Sequence, residues 1–279
     1  MSLPRVATIQ DISGIGRCSL TAAIPVLSAM GVQACPLPTA VLSNQTGFDS
    51  FACVSLSEQL ASSISEWRKQ GLRFDAVSTG FLMDAEQAGL AGSFIDYAKS
   101  SGSLVVVDPV MGDEGSLYSV FDERMCQAFR SLAAKADLIT PNLTEACLLA
   151  GVDYPGEVDA QSPLIWEIAG RLCEIGPATA VITGIQGDPG EICNIAYILR
   201  DDRRVCVSNR KIGGSYSGTG DILTAILTAG ILRGEDVEVS LRLVGQLFEK
   251  AIARSLSERA DPREGVAFEP YLHLLNIPG

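Results

Sequence analysis

The chain has 279 residues, 47% of them hydrophobic, and a net charge of −12. That is ample apolar material for one large α/β domain. The acidic balance excludes a general nucleic-acid or anionic-membrane binder, which would gain from basic surface; a nucleotide ligand would have to arrive with a metal cation.

In chain order, Val6-Ala7-Thr8-Ile9 reads as a buried strand ending in Gln10-Asp11 and feeding the tight loop Ser13-Gly14-Ile15-Gly16. A helix from about Ser19 to Met30 follows, closed by Gly31. Ser19 stands where a dinucleotide fingerprint requires its third glycine, and no acidic residue follows at the right distance, so a Rossmann cofactor site is disfavoured. Residues 32–41 form a second strand, and Ser43-Asn44-Gln45-Thr46-Gly47-Phe48 is a polar loop, either a plain turn or a reader of a small polar ring. A helix from Ser57 to Gln70, a strand from Asp75 into Gly80-Phe81, and a helix from Asp84 to Lys99 come next. The run Leu104-Val105-Val106-Val107 has the pattern of a parallel strand buried on both faces.

Asp108 and Asp113 follow that strand. Their carboxylates are costly in a closed cleft unless a cation or a reaction uses them, and cheap in a loop open to water. After a helix near 122–136, Leu138-Ile139 is a strand ending in Thr140-Pro141-Asn142-Leu143-Thr144-Glu145. Asn142 and Glu145 have capping-box spacing, and the same pair could order waters around magnesium. A helix from Ala160 to Ile175 leads to the strand Thr179–Ile182, which ends in Thr183-Gly184. Residues 192–199 and 203–211 read as an antiparallel edge hairpin.

The stretch Gly213 to Asp221 then runs into the apolar helix that begins Ile222-Leu223. It is either a glycine-rich turn with an acidic first-turn residue, or a loop whose amides receive an anion beside a proton-accepting carboxylate. Gln10-Asp11, Gly80, Asp108, Asn142 and Thr183 all fall at predicted strand ends on the same edge, and this repetition favours the anion site. A long amphipathic helix, Val237–Glu258, completes the pattern. No repeat, low-complexity run or linker divides the chain, so 1–279 is read as a single domain.

Among the eight cysteines the closest pair is Cys193 and Cys206. There is therefore no CxxC pair, and the thiols read as reduced core residues of a cytoplasmic protein. No secretory leader is expected, and prolines at 25, 36 and 38 break the uncharged span from Cys18 to Phe48, so no membrane segment is expected. The sequence has no Walker-type GxxxxGK[ST] and no protein-kinase HRD or DFG set. The single histidine, His273, makes a Ser-His-Asp device or a histidine metal site improbable.

Gly218-Thr219-Gly220-Asp221, the segment 108–113 and the segment 140–145 together resemble the marker segments of the ribokinase superfamily of small-molecule kinases. The loop 43–48 resembles the ring-binding loop of its pyridoxal (vitamin B6) kinases. The similarity runs from Ile9 to about Leu232. It implies a ribokinase-like three-layer α/β/α sandwich, with a mostly parallel central sheet and an antiparallel edge, usually dimeric. The implied activity is ATP- and Mg2+-dependent phosphorylation of a hydroxymethyl group, helped by K+ or another monovalent cation.

Carried over, the resemblance makes Asp221 the base and Gly218, Thr219 and Gly220 the cradle of the transferring phosphoryl group. Asp108, Asn142 and Glu145 would organise the metal and phosphates, with Asp113, Thr140 and Thr183 on the nucleotide side. Asp11, Gln45, Thr46, Phe81 and Tyr118 would face the vitamer with Asp221. The implied partners are a small-molecule substrate and a second copy of the chain, with no nucleic acid and no membrane. Asp11 replaces a customary serine, Gln45 a histidine and Phe81 a tyrosine. The alternatives are a hydroxymethylpyrimidine kinase of thiamine synthesis and a non-catalytic vitamin- or nucleotide-binding relative.

Overall fold

The structure is a computed structural model that describes residues 3–276. The chain alternates β1 (Arg5–Ser13), α1 (Ser19–Ala29), β2 (Gln33–Leu42), β3 (Cys53–Ser55), α2 (Ser57–Lys69), β4 (Ala76–Thr79), α3 (Ala85–Lys99) and β5 (Leu104–Val107). A short hairpin, β6 (Gly112–Asp113) and β7 (Ser116–Leu117), precedes α4 (Glu123–Ala133), β8 (Leu138–Ile139), α5 (Leu143–Ala150) and α6 (Pro163–Ile175). Then come β9 (Thr179–Gln186), β10 (Glu191–Ile198), β11 (Arg203–Arg210), α7 (Thr219–Leu232) and α8 (Val237–Glu258).

Nine of these strands form one sheet in the order β11-β10-β9-β8-β5-β4-β1-β2-β3. The strands from β9 through β2 pair in parallel, while β10, β11 and, at the other margin, β3 are antiparallel. Side chains of the inner strands alternate between two cores, as a period of two requires. Val105, Val107, Ala180 and Ile182 point into the core under α2 to α6, and Val106 and Val181 into the core under α1, α7 and α8. The result is the expected three-layer α/β/α sandwich, with both margins antiparallel.

Crossovers leave β1 towards β2 on one side, and the next long strand, β4, pairs with its opposite side. The carboxyl ends of β1, β4, β5 and β8 therefore open on a topological switch point, the place where α/β sheets receive ligands.

Several boundaries differ from the sequence reading. β1 does not stop at Ile9: it continues to Ser13 through a bulge in which Thr39 and Ala40 of β2 stand against Asp11 alone. β9 likewise runs through Thr183 and Gly184, because a second irregularity lets β10 follow it, with Asn194 Oδ1 accepting from Gly184 N at 3.2 Å. α6 begins at Pro163 rather than Ala160, since the Ser162 side chain caps it and proline suits the first turn. The β6–β7 hairpin was not anticipated. Glu114 and Gly115 both have positive φ, 49° and 80°, as a tight two-residue hairpin turn demands. The cysteines are free thiols, but they are not all in the core: Cys206 is exposed. Among the described residues no helix is long and apolar enough to cross a membrane.

Phe94 is fully buried where α2 and α3 meet, its ring 5.6 Å from Phe74 and 6.0 Å from both Trp67 and Tyr97. Phe94→Ala is expected to lower the unfolding free energy by roughly 3–5 kcal/mol through lost contacts and a residual cavity. Urea denaturation measures this, and an unchanged midpoint would contradict the assigned core.

Candidate active site

α7 starts at Gly218, whose φ of +79° is left-handed and whose added Cβ would overlap the Arg17 carbonyl oxygen. Glycine is required twice over, by conformation and by close approach. The approach lays the amino end of α7 against the loop that opens α1. The first intrahelical bond of α7 runs from Ile222 N to Gly218 O at 3.1 Å, so the amides of Thr219, Gly220 and Asp221 precede the ladder. Such first-turn amides, at the positive end of the helix dipole, receive anions.

Asp221 stands in that first turn, and its Oδ2 accepts a 2.7 Å hydrogen bond from Ser19 N, the first residue of α1. Burial pushes its carboxyl up to about 7; the Ser19 amide lowers it and the nearby Asp11 carboxylate raises it further. A carboxyl poised near neutrality can take a proton and release it at working pH.

Asp108, at the end of β5, is 6% exposed, and Glu145 is 4% exposed. Burial, then Glu145 and Asp221, hold Asp108 well above the usual carboxylate range, with Thr224 and Thr140 opposing. Glu145 is pushed up to about 8, mainly by burial, against the lowering effect of backbone donors. The Asn142–Glu145 capping box is formed: Asn142 N donates to Glu145 Oε2 at 2.9 Å and Glu145 N donates to Asn142 Oδ1 at 3.0 Å. Glu145 also accepts from Met111 N at 3.0 Å, and Asn142 Nδ2 donates to the Gly112 carbonyl at 2.8 Å. The box thus fastens the segment after Asp108 to α5.

Thr140 shares a 2.8 Å hydroxyl contact with Thr224 of α7, and Thr224 donates to Asp108 Oδ2 at 3.4 Å. A Cβ on Gly220 would stand 3.6 Å from Asp108 Oδ2, so the amide turn and this carboxylate are neighbours. Asp113 is exposed in β6, near enough to raise Glu145. Thr183 is bridged to Asn142, its amide donating to the Pro141 carbonyl at 3.0 Å.

This donor set fits a divalent cation. Two buried carboxyls with an adjacent amide resist ionisation on their own, and no lysine or arginine is among the groups that offset that cost, so a bound cation would favour their charged forms. Among the described residues no three His, Cys, Asp or Glu side chains form a self-sufficient metal cluster. An ion here would complete its shell with water and phosphate oxygens, as magnesium does.

On the other side of Asp221, Asp11 is buried and accepts from the Ser13 hydroxyl at 2.9 Å. Gln45 has its amide engaged by the protein: Nε2 donates to Ser217 Oγ at 3.1 Å and to the Arg263 carbonyl at 3.0 Å, and Oε1 accepts from Gly47 N at 2.6 Å. The loop it anchors is held further by Arg263 stacked 4.7 Å over Phe48. Thr46 is exposed on that loop. Phe81 faces Phe121 at 5.7 Å, and Phe121 faces Tyr118 at 6.4 Å. Tyr118 is 40% exposed, and its hydroxyl is pushed up by burial and by Glu145, Asp113, Asp108 and Asp221, which puts it beside the carboxylates. His273 lies away on the surface, bonded to the Pro270 carbonyl.

The sequence reading overlooked Ser19, Phe121, Ser217 and Arg263. Ser19 carried one signal, a hydroxyl residue in place of a fingerprint glycine. Arg263 carried none, because its loop contact spans most of the chain.

The fold and this cleft define a small-molecule kinase of the ribokinase type. A family model described as phosphomethylpyrimidine kinase matches residues 16–262, and the chain belongs to that family. Its relatives include the pyridoxine/pyridoxal/pyridoxamine kinase of Bordetella avium, 30% identical over 260 residues that cover 89% of this chain and 84% of that one. A candidate phosphomethylpyrimidine kinase from Bacteroides thetaiotaomicron, solved with pyridoxal, superposes with a TM-score of 0.93 at 36% identity, covering 99% of this chain and 97% of the other. Pyridoxal kinase from Lactobacillus plantarum gives a TM-score of 0.88 at 31% identity, covering 98% and 97%.

Asp11, Asp108, Glu145 and Asp221 all have raised carboxyl pKa values. Each binds its proton more tightly folded than unfolded, so its contribution to stability is complete below about pH 4 and is lost as pH rises through the folded value. The ligand-free protein should therefore lose stability between about pH 5 and 8 from these groups. Asp108→Asn should flatten that slope and raise stability at pH 8 by roughly 1 kcal/mol. Thermal unfolding across pH checks both, and a variant less stable than the parent at pH 8 would contradict the electrostatic account.

Proposed function

We propose that the protein is a vitamin B6 kinase, transferring the γ-phosphoryl group of ATP to the 5′-hydroxymethyl group of pyridoxal, pyridoxamine or pyridoxine. The observation that carries this reading is geometric: the buried Asp221 carboxyl stands in the same first turn that presents the amides of Thr219 and Gly220, held by the Ser19 amide at 2.7 Å, and burial raises its pKa. A proton acceptor beside an anion cradle suits phosphoryl transfer to an alcohol and has no use in a binding protein. The 36%-identical structure solved with pyridoxal supports the choice of ring.

Asp221 accepts the proton of the 5′-hydroxyl late, as its oxygen bonds to the γ-phosphorus and the bond to the ADP oxygen breaks in a loose transition state. The amides of Gly218, Thr219 and Gly220 receive the equatorial oxygens of the moving group. Magnesium, when bound, would neutralise charge on the phosphates, held through Asp108, Asn142 and Glu145 with water between. Asp113, Thr140 and Thr183 line the nucleotide side. Phe81, Phe121 and Tyr118 offer aromatic faces to the flat ring, with Asp11, Gln45 and Thr46 framing its other edge. A monovalent cation such as K+ assists, and the working form is a cytoplasmic homodimer. Sedimentation of the purified protein tests the dimer.

The family description favours one second reading, a hydroxymethylpyrimidine kinase, which keeps the mechanism and changes the ring. ADP release with ATP and magnesium is therefore measured on each B6 vitamer and on hydroxymethylpyrimidine. Turnover on a vitamer is expected; turnover on the pyrimidine alone would move the substrate. Asp221→Asn should lower kcat by ~10²–10⁴-fold with little change in nucleotide affinity. Near-normal turnover in that variant would overturn the base assignment.

A further inference from the structure

A short 3-10 turn after α8, Pro262–Glu264, touches three loops of the cleft at once. The Asp261 side chain caps it, accepting from Arg263 N at 2.9 Å. Its successive carbonyls accept from three separate segments: Pro262 O from Ser217 N at 3.2 Å, Arg263 O from Gln45 Nε2 at 3.0 Å, and Glu264 O from Arg17 N at 2.9 Å. Arg17 lies in the loop that opens α1, Gln45 in the loop 43–48, and Ser217 in the loop that opens α7. The turn is itself firmly seated. Val266 and Phe268, which follow it, are buried in the core under α1, α7 and α8, and Ala267 N donates to the buried Ser255 Oγ at 2.9 Å.

The loop 43–48 depends on such an anchor. Thr46 and Gly47 are exposed at its tip, and the half-buried Phe48 packs in neither of the two cores. The Phe48 ring is covered instead by the Arg263 guanidinium, 4.7 Å from its centre. That cation is held in place: Nη2 donates to Asp261 Oδ2 at 2.7 Å, and Nε lies 3.1 Å from both Asp261 oxygens. The carboxylate that caps the turn therefore also orients the guanidinium over the ring. Planar pairing combined with stacking is what an arginine offers and a lysine does not.

We propose that Arg263 is a positioning residue for vitamer binding: Asp261 orients its guanidinium, the guanidinium holds Phe48, and Phe48 together with the Gln45 anchor sets the loop that carries Thr46 against the cleft. The loops before α1 and α7 hang on the carbonyls of Glu264 and Pro262, which a change of the Arg263 side chain leaves in place. The Ser19–Asp221 contact and the first-turn amides of α7 therefore keep their positions without it. Arg263 governs affinity for the ring and leaves phosphoryl transfer alone. The inference rests on the loop 43–48 facing the ring, as in the function proposed above.

The test uses the full-length protein, with kcat and both KM values measured separately and folding checked by thermal unfolding. Arg263→Ala should raise KM for the vitamer by about 3- to 10-fold, the scale of one lost stacking contact, with kcat and KM for ATP each changed by less than about two-fold. Arg263→Lys keeps the charge without the planar pair and should lose nearly as much. Phe48→Ala should raise the same KM, and the double variant should add little to it, because the two side chains act as a unit. Hydrogen exchange in the ligand-free protein gives a readout independent of turnover. The amides of Gly47 and Phe48, which donate to Gln45 Oε1 and Gln45 O, should exchange about 3- to 10-fold faster in Arg263→Ala, with those of Arg17 and Ser217 unchanged. A defect that falls on kcat or on ATP, additive KM losses in the double variant, or parent-like exchange at Gly47 and Phe48 would each overturn the role given to Arg263. Turnover by the parent on hydroxymethylpyrimidine alone would remove the vitamer reading instead, and the same KM and exchange comparisons made with that substrate would still decide the role of Arg263.

Discussion

The 2.7 Å hydrogen bond from Ser19 N to Asp221 Oδ2 joins residues 202 positions apart in sequence and fixes how the rest of the cleft is built. It can form only because two helix amino ends, those of α1 and α7, are packed loop against loop, and Gly218 is what lets them approach. Once they meet, a single carboxylate lies between two sets of backbone donors. The first turn of α7 then lies beside Asp108, at the end of β5, where the Asn142–Glu145 box fastens the following segment. The sheet supplies the platform, since its parallel strands deliver all these groups to one edge.

Charge is the second constraint. Asp11, Asp108, Glu145 and Asp221 are gathered in a chain that already carries −12. The protein holds these carboxyls at raised pKa values, a state that disfavours their ionisation and costs folding stability above neutral pH. In the proposed reaction such crowding has a chemical rationale: a metal-bound polyphosphate would bring the cation that relieves Asp108 and Glu145, and a half-neutral Asp221 would serve as the base. Hydroxyls of Thr140 and Thr224 and the backbone amides around Glu145 keep the cluster hydrogen-bonded meanwhile.

Much of this was legible in the sequence because the relevant signals are local. Leu104–Val107 could only be a strand buried on both faces, and Asp108 follows it directly; Asn142 and Glu145 have capping-box spacing; glycines lead into the α7 helix. The capping and metal readings of Asn142 and Glu145 are compatible, since the box orients the carboxylate while burial raises it. What the sequence hid is non-local. The bulge that isolates Asp11 depends on the register of β2, and the partners of Gln45 come from residues 217 and 263. Phe121 joins Phe81 and Tyr118 only after the chain has folded around β6 and β7. The pKa of Asp221 near neutrality follows from burial first and from Asp11 second, and neither is visible in a GTGD string.

In the proposed reaction Asp221 is the base, its carboxyl raised to about 7 by this environment. The most direct measurement is the pH dependence of kcat/KM for a B6 vitamer at saturating ATP and magnesium, which reports the free enzyme's essential base. The account predicts a single acid limb, with kcat/KM falling about ten-fold per pH unit below an apparent pKa near 7. A profile that stays flat down to about pH 5, the behaviour of an ordinary exposed aspartate, would contradict it.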